Sequence, residues 1–167
     1  MSGAVVWFTG LPASGKSTLA RGVQRRLRDR GELPCLLDGD VVRRLLAPLL
    51  GYSDRERHVF YEALAGLAAE LAHQGLTVLV PATAHRRAYR QHARELAPYF
   101  VEVWVTTSLA DCQAHDEKGL YAAAAGSPGT LPGVGQSYEP PEQAEVQAKG
   151  GHDGDAVERI ATLLLPR

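Results

Sequence analysis

The residues best equipped for chemistry lie between positions 10 and 18. Gly10-Leu11-Pro12-Ala13-Ser14-Gly15-Lys16-Ser17 has the spacing of glycine, four residues, then Gly-Lys-Ser/Thr, and Thr18 follows. An apolar, β-rich run precedes it and a helical pattern follows, which is the setting such a loop needs. Glycine lets the backbone curl so that successive N–H groups face phosphate oxygens, and the helix N-terminus adds its positive dipole end. A triphosphate is expected against Gly10, Ala13, Ser14, Gly15, Lys16, Ser17 and Thr18. Lys16 is expected to bridge its β- and γ-phosphates, and the Ser17 hydroxyl to ligate Mg²⁺. A plain glycine turn accounts for Gly10 and Gly15 but gives no reason for a lysine whose charge opposes the dipole. A bound anion removes that conflict.

The second candidate is Asp38-Gly39-Asp40, which follows a short apolar stretch. Carboxylates there emerge at the C-terminal edge of a parallel sheet, where such folds bind ligands. Phosphoryl transfer to a hydroxyl needs a held metal and a group to accept the hydroxyl proton. Asp38 is assigned to Mg²⁺, directly or through water, and Asp40 to the acceptor hydroxyl. A structural alternative makes Asp40 the N-cap of the next helix. Arg43, one turn on, faces the same edge and is a candidate contact to an anionic acceptor. Lys16, Asp38 and Asp40 are therefore the expected catalytic set, with Ser17 and Asp38 as metal ligands and ATP and Mg²⁺ as cofactors.

The elements that must position these groups alternate between two periods. Strands are expected at 4–8, 34–37, 76–80, 100–105 and 146–148. Helices are expected at 16–30, 41–50, 53–71, 85–96 and 153–165, with Ser53 as an N-cap and Gly75 as a C-cap. The segment 110–125 starts helical and dissolves into a stretch dense in Gly and Pro, so 110–135 is expected to be a lid within one domain spanning 1–167. Such alternation implies an α/β class, a three-layer P-loop NTP-binding fold with a parallel β-sheet flanked by helices. Trp7 and Trp104 fall in strands and are expected in the core.

Bulk composition excludes several other classes. The 167 residues suit one domain, are 45% hydrophobic and carry a net charge of -1, so nucleic acid is not an expected partner. No apolar stretch approaches the roughly 20 residues that span a bilayer, and the first apolar run lacks the basic start of a signal peptide. No membrane association and a cytoplasmic location are therefore expected. Cys35 and Cys112 read as reduced thiols. The six histidines show no metal-ligand spacing. The arginines from Arg21 to Arg30 read as a solvated helix face.

With these residues placed, the chain resembles the adenylylsulfate kinases nearly from end to end. Gly10–Thr18 is similar to that family's phosphate loop, and Leu37-Asp38-Gly39-Asp40-Val41-Val42-Arg43 to its acceptor segment. Leu50-Gly51-Tyr52-Ser53 with Arg57 resembles its next motif. Asp116-Glu117-Lys118-Gly119-Leu120-Tyr121 resembles the start of its lid, and Tyr138-Glu139-Pro140-Pro141 its closing stretch. The resemblance implies transfer of the ATP γ-phosphate to the ribose 3′-hydroxyl of adenylylsulfate. It also implies a small-molecule, nucleotide-like acceptor bound by Asp40, Arg43, Tyr52, Arg57, Arg86, Lys118 and Leu131, in a chain that can pair as a homodimer.

Several positions depart from the family pattern. Phe60, Glu62 and Ala63 stand where the resemblance leads one to expect Asn and paired Arg. Thr83-Ala84-His85-Arg86 replaces Ser-Pro-Tyr-Arg, so Thr83 stands at the family's phosphoserine position. Leu131 aligns with the lid Phe that sandwiches the acceptor's adenine, Tyr52 being the other aromatic. Ala122–Ala125 replace basic residues, and His115 an Arg. Losing a pair of charge-assisted bonds removes about 1.5–3 kcal/mol each, enough to switch acceptors. Arg86, Arg87, Arg90 and Lys118 remain as anion contacts. Two other readings therefore stand beside the first. One is a related kinase of another alcohol, such as cytidine diphosphoramidate or a natural product. The other is a nucleotide-binding module without catalysis, against which the retention of both Asp38 and Asp40 argues.

Overall fold

The computed structural model describes residues 3–46, 49–126 and 131–165. β1 (Ala4–Thr9) leads through the glycine loop into α1 (Lys16–Asp29), then come β2 (Cys35–Leu36), α2 (Gly39–Leu46), α3 (Asp54–His73) and β3 (Thr77–Pro81). α4 (Arg87–Leu96), β4 (Phe100–Val105), α5 (Leu109–Ala114) and α6 (Leu120–Ala125) follow. β5 (Leu131–Pro132), β6 (Gly135–Gln136), β7 (Val146–Ala148) and α7 (Gly154–Leu163) complete the order. The main sheet has five strands in the order β2-β3-β1-β4-β7. Every pairing in it is parallel.

β1 shows how the layers are specified. Its side chains alternate between faces, as a strand's must. Val5 and Trp7 join Phe60, Leu64, Ala68, Tyr89 and Ala93 under α3 and α4. Val6 and Phe8 join Leu19, Val23, Leu27, Ile160 and Ala161 under α1 and α7. With both faces covered, the strand reads as one apolar run. Trp7 satisfies its indole by donating to the Ala82 carbonyl at 3.1 Å. Arg26 and Arg30 reach Glu158 and so tie α1 to α7, while Arg21, Arg25 and Arg28 are exposed.

Ser53 caps α3 as expected, with a reciprocal bond from its own N–H to Glu56. Gly75, at φ 95°, follows the last turn. Two expected helices differ. The helix expected from His85 begins at Arg87, because the chain turns sharply at Ala84 (φ 43°) and the His85 carbonyl accepts the Glu139 N–H. The helix expected from 110 breaks in two, because the Asp116 carboxylate collects the N–H groups of Leu120, Tyr121 and Ala122 and starts a new helix there. α2 likewise starts at Gly39 and ends at Leu46; positions 47 and 48, within the expected helix, lie outside the described residues. Trp104 is half-buried rather than in the core, and lines an open groove with Leu11, Gly133 and Tyr138.

Candidate functional site

The glycine loop is a concave turn built from backbone. Ala13 and Gly15 both have left-handed φ, 58° and 97°, which turns successive N–H groups to the inside. For Ala13 that geometry costs on the order of 1 kcal/mol, held in place by the surrounding structure. Gly15 has no room for a side chain, since a Cβ would sit 2.5 Å from the Gly151 nitrogen. The Lys16 ammonium turns back on the loop, donating to the carbonyls of Leu11 at 2.7 Å and Gly10 at 3.1 Å. Burial lowers its pKa to about 8, against the opposing charges of Asp40 and Asp38. The Thr107 hydroxyl holds the Ser14 carbonyl at 2.7 Å. The Ser14 hydroxyl itself is buried without a hydrogen-bond partner among the described residues. An anion in the loop would satisfy it, and it would give Lys16 a full counter-charge.

Asp38 anchors the second half of the site. One of its oxygens accepts the Ser17 hydroxyl at 2.8 Å and the other the Asp40 N–H at 2.9 Å. Asp38 therefore opens α2, and Asp40 stands in its first turn; the expectation of a cap at Asp40 belongs to its neighbour. Gly39 allows this approach, because a Cβ there would meet Ala82 at 2.9 Å. A hydroxyl beside a carboxylate is a hard oxygen donor pair, and with phosphate oxygens it suits Mg²⁺. Among the described residues no group of three or more His, Cys, Asp or Glu is placed to hold a metal by itself.

Asp40 pairs with Lys118, which lies between α5 and α6, at 2.5 Å, although the two side chains are 66% and 64% exposed. Partial desolvation pushes the Asp40 carboxyl up, but the hydrogen bond and charge of Lys118, with Lys16 and Arg44, outweigh it and hold the pKa below the ordinary value. Lys16, Asp38, Asp40 and Lys118 thus form one charged cluster at the sheet edge.

A rim of arginine and aromatic groups adjoins it. Arg43 donates to the Gly51 carbonyl at 2.8 Å. The buried Arg57 donates to the Tyr52 carbonyl at 2.9 Å. Arg86 pairs with Asp54 at 3.5 Å. Leu131 is half-buried in β5, which pairs with β6. Two arginines expected as anion contacts serve the fold. Arg90 is fully buried and spends its guanidinium on Glu102 at 2.6 Å, the Ala84 carbonyl at 2.5 Å and the Glu139 carbonyl at 2.6 Å. Arg87 binds the Pro140 carbonyl and Glu142, each within 2.8 Å.

Comparison with known proteins decides the family. The sequence model described as adenylylsulphate kinase matches residues 2–149. The chain belongs to the adenylylsulphate kinase family. An adenylyl-sulfate kinase of Vibrio vulnificus is 41% identical over 165 residues, covering 97% of this chain and 79% of that one. One from Klebsiella pneumoniae is 43% identical over 151 residues, 89% of this chain and 75% of that one. The solved APS kinase of Mycobacterium tuberculosis, in complex with AMPPNP and APS, superposes with a TM-score of 0.90 at 35% identity, over 99% of both chains. Shikimate kinase from Aquifex aeolicus, at 13% identity and TM-score 0.57, shares the P-loop kinase fold alone. The fold is thus the α/β P-loop kinase fold read from the sequence, and the family is one of phosphotransferases that act on an alcohol group.

In this adenylylsulphate kinase family member Tyr121, Gln136 and Tyr138 make contacts around the site that pattern reading did not single out. The Tyr121 hydroxyl donates to the Pro12 carbonyl of the phosphate loop at 2.8 Å. Tyr138 donates to the Thr9 hydroxyl at 2.9 Å, which in turn donates to the Thr83 carbonyl at 2.6 Å. Gln136 reaches the buried His85 at 3.1 Å. Burial, then Arg57 and Arg86, lowers the His85 pKa to about 4, so it is neutral in ordinary buffers. His115 is exposed, its ring held to the Asp111 carbonyl at 2.7 Å. The paired Gly150-Gly151 after β7, which let that loop press against Gly15, carried the one sequence signal available: consecutive glycines at a strand's C-terminal end. Gln136 carried none, and Phe60 was marked only as a departure from the family pattern, with no sign of its contact to Arg43.

Proposed function

We propose that this chain transfers the γ-phosphate of ATP to the 3′-hydroxyl of adenylylsulfate. The observation that carries the reading is the single charged cluster of Lys16, Asp38, Asp40 and Lys118 at the mouth of the glycine loop. The loop amides, the Ser14 hydroxyl and Lys16 bind the triphosphate, and Lys16 neutralises charge on the oxygens of the transferred group. Ser17 and Asp38 would hold Mg²⁺, which when bound would supply further neutralisation of phosphate charge. Asp40 orients the acceptor hydroxyl and takes its proton. While Lys118 sits on Asp40 the carboxylate is a weak base. When Lys118 turns to a bound phosphate, the proton affinity of Asp40 rises as transfer begins. Tyr52, Arg43, Arg57, Arg86 and Leu131 receive the acceptor.

No helix among the described residues is long and apolar enough to cross a membrane. The unbridged thiols Cys35 and Cys112 support a cytoplasmic location. Exposed Leu45 and Leu49 supply apolar surface for a homodimer. A second reading, an alcohol other than adenylylsulfate, is favoured by α3. There Glu62, where the family pattern leads one to expect Arg, is exposed and pairs with His58 at 3.3 Å, so it brings no positive charge to the acceptor. Coupled measurement of ADP release across adenylylsulfate, cytidine diphosphoramidate and simple alcohols separates the readings. Turnover with adenylylsulfate is expected. Its absence beside turnover of another acceptor replaces the first reading with the second, and ATP binding without transfer to any acceptor leaves only a binding module.

A further inference from the structure

Tyr52 presents an unusual combination: it is 63% exposed yet held on several sides. Arg57 fixes its carbonyl, and the Arg57 guanidinium lies 5.5 Å from its ring centroid. The Arg43 guanidinium lies nearer, 4.5 Å from the same centroid. Arg43 is itself held at one end by the Gly51 carbonyl and, across its plane, by the ring of Phe60, whose centroid is 4.1 Å away. Phe60 is only 2% exposed, packs edge-on against Tyr61 at 5.2 Å and belongs to the core under α3. A column therefore runs from the core, through a guanidinium, to an aromatic ring at the surface.

We infer that Phe60 is a positioning residue for the acceptor, holding Arg43 and through it Tyr52 as a fixed platform for a planar base. The inference rests on the kinase reading above and adds to it a specificity-determining position that touches no substrate. The physical reason lies in the ring. Any apolar side chain of that size would fill the core at position 60, but only a π face attracts the cation laid over it. A guanidinium so attracted loses its freedom to swing, and so does the exposed tyrosine it supports. The entropy of ordering Tyr52 is then met before the acceptor arrives, which strengthens binding by preorganisation. Position 60 is also one where the family pattern leads one to expect asparagine, a side chain that hydrogen-bonds but offers no aromatic face.

Phe60→Leu keeps the apolar volume and removes the π face; Phe60→Met serves the same purpose if the leucine variant does not fold. In the ligand-free protein, ¹³C relaxation of labelled tyrosine should show the Tyr52 ring ordered in wild type and mobile in the variant. Steady-state kinetics should show the acceptor KM raised about tenfold, with kcat within about twofold and the ATP KM unchanged. In an Arg43→Met background the Phe60 substitution should add less than about twofold, since the two act as one unit. An ordered Tyr52 ring in the variant, an unchanged acceptor KM or additive effects with Arg43→Met overturn the inference. If wild type neither binds nor phosphorylates adenylylsulfate, the proposed function fails, and ring order in the ligand-free protein alone decides the platform: mobility in the variant sustains it and unchanged order overturns it.

Discussion

The donor and acceptor halves of the proposed site are built in opposite ways. The donor half is one contiguous stretch, 10–18, joined by Asp38, and its polar groups are held by backbone or buried. The acceptor half gathers Asp40 and Arg43 from α2, Tyr52 from a loop, Arg57 and Phe60 from α3, Arg86 before α4, and Lys118 from the loop between α5 and α6. Several of its members are exposed, and they are held by ion pairs and ring contacts between elements, with Arg43 and Arg57 also donating to the Gly51 and Tyr52 carbonyls. The donor pocket is thus fixed by local geometry, while the acceptor pocket is assembled by tertiary packing. Substitutions in the first should abolish the reaction, and substitutions in the second, Asp40 apart, should redirect it.

Asp40 is where the two halves meet, and its removal should show the largest effect. Asp40→Asn keeps size and hydrogen bonding but removes the proton acceptor. We expect kcat to fall by about 10²–10⁴, the usual worth of a positioned general base. The Kd for Mg-ATP, measured by calorimetry, should move by less than about threefold, because the nucleotide is held by the loop. Equal losses in both would make Asp40 a metal ligand and move it to the donor half.

Lys16 gives the donor half a pH signature. Its pKa in the ligand-free protein is about 8, below the ordinary 10.5. A triphosphate favours the charged ammonium, so binding above that pH must take up a proton. Affinity for Mg-ATP should therefore be level near neutrality and weaken as pH rises past 8, to about one tenth of its plateau at pH 9. Lys16→Arg, charged throughout this range, should flatten the curve. Calorimetric titrations between pH 7 and 9.5 check this, and a level wild-type curve would separate Lys16 from the triphosphate.

The same contrast explains what the sequence made legible. Glycine spacing, a flanking strand and a flanking helix all fall within a short stretch, so the phosphate loop is written locally. The strands were legible because a sheet covered on both faces demands continuous apolar runs, and Ser53 because a cap is a local device. Asp116 shows the limit. Its carboxylate breaks one expected helix into two by capping three amides, which helical periodicity does not register. Arg90 and Arg87 looked available for an anion, but their partners Glu102 and Glu142 come from other segments of the chain, 12 and 55 residues on. Only the packed structure reveals that they are committed.

The smallest expected effect tests whether the acceptor half can be rebuilt. Tyr52 offers one aromatic face, and Leu131, in β5 of the proposed lid, is the aliphatic residue at the position the family pattern gives to a second ring. Gly133, two residues on, lies against Leu11, so β5 belongs to a segment docked on the phosphate loop. Leu131→Phe should add a stacking partner worth about 0.5–1.5 kcal/mol, lowering the acceptor KM about two- to tenfold. The ATP KM should stay where it is, because the triphosphate is held by loop amides that this side chain does not supply. The change should be lost in a Phe60→Leu background if the platform opposite must be rigid for the second ring to matter. An acceptor KM that does not move in Leu131→Phe would mean that the base is held by Tyr52 alone, and that the lid closes on the phosphates rather than on the base.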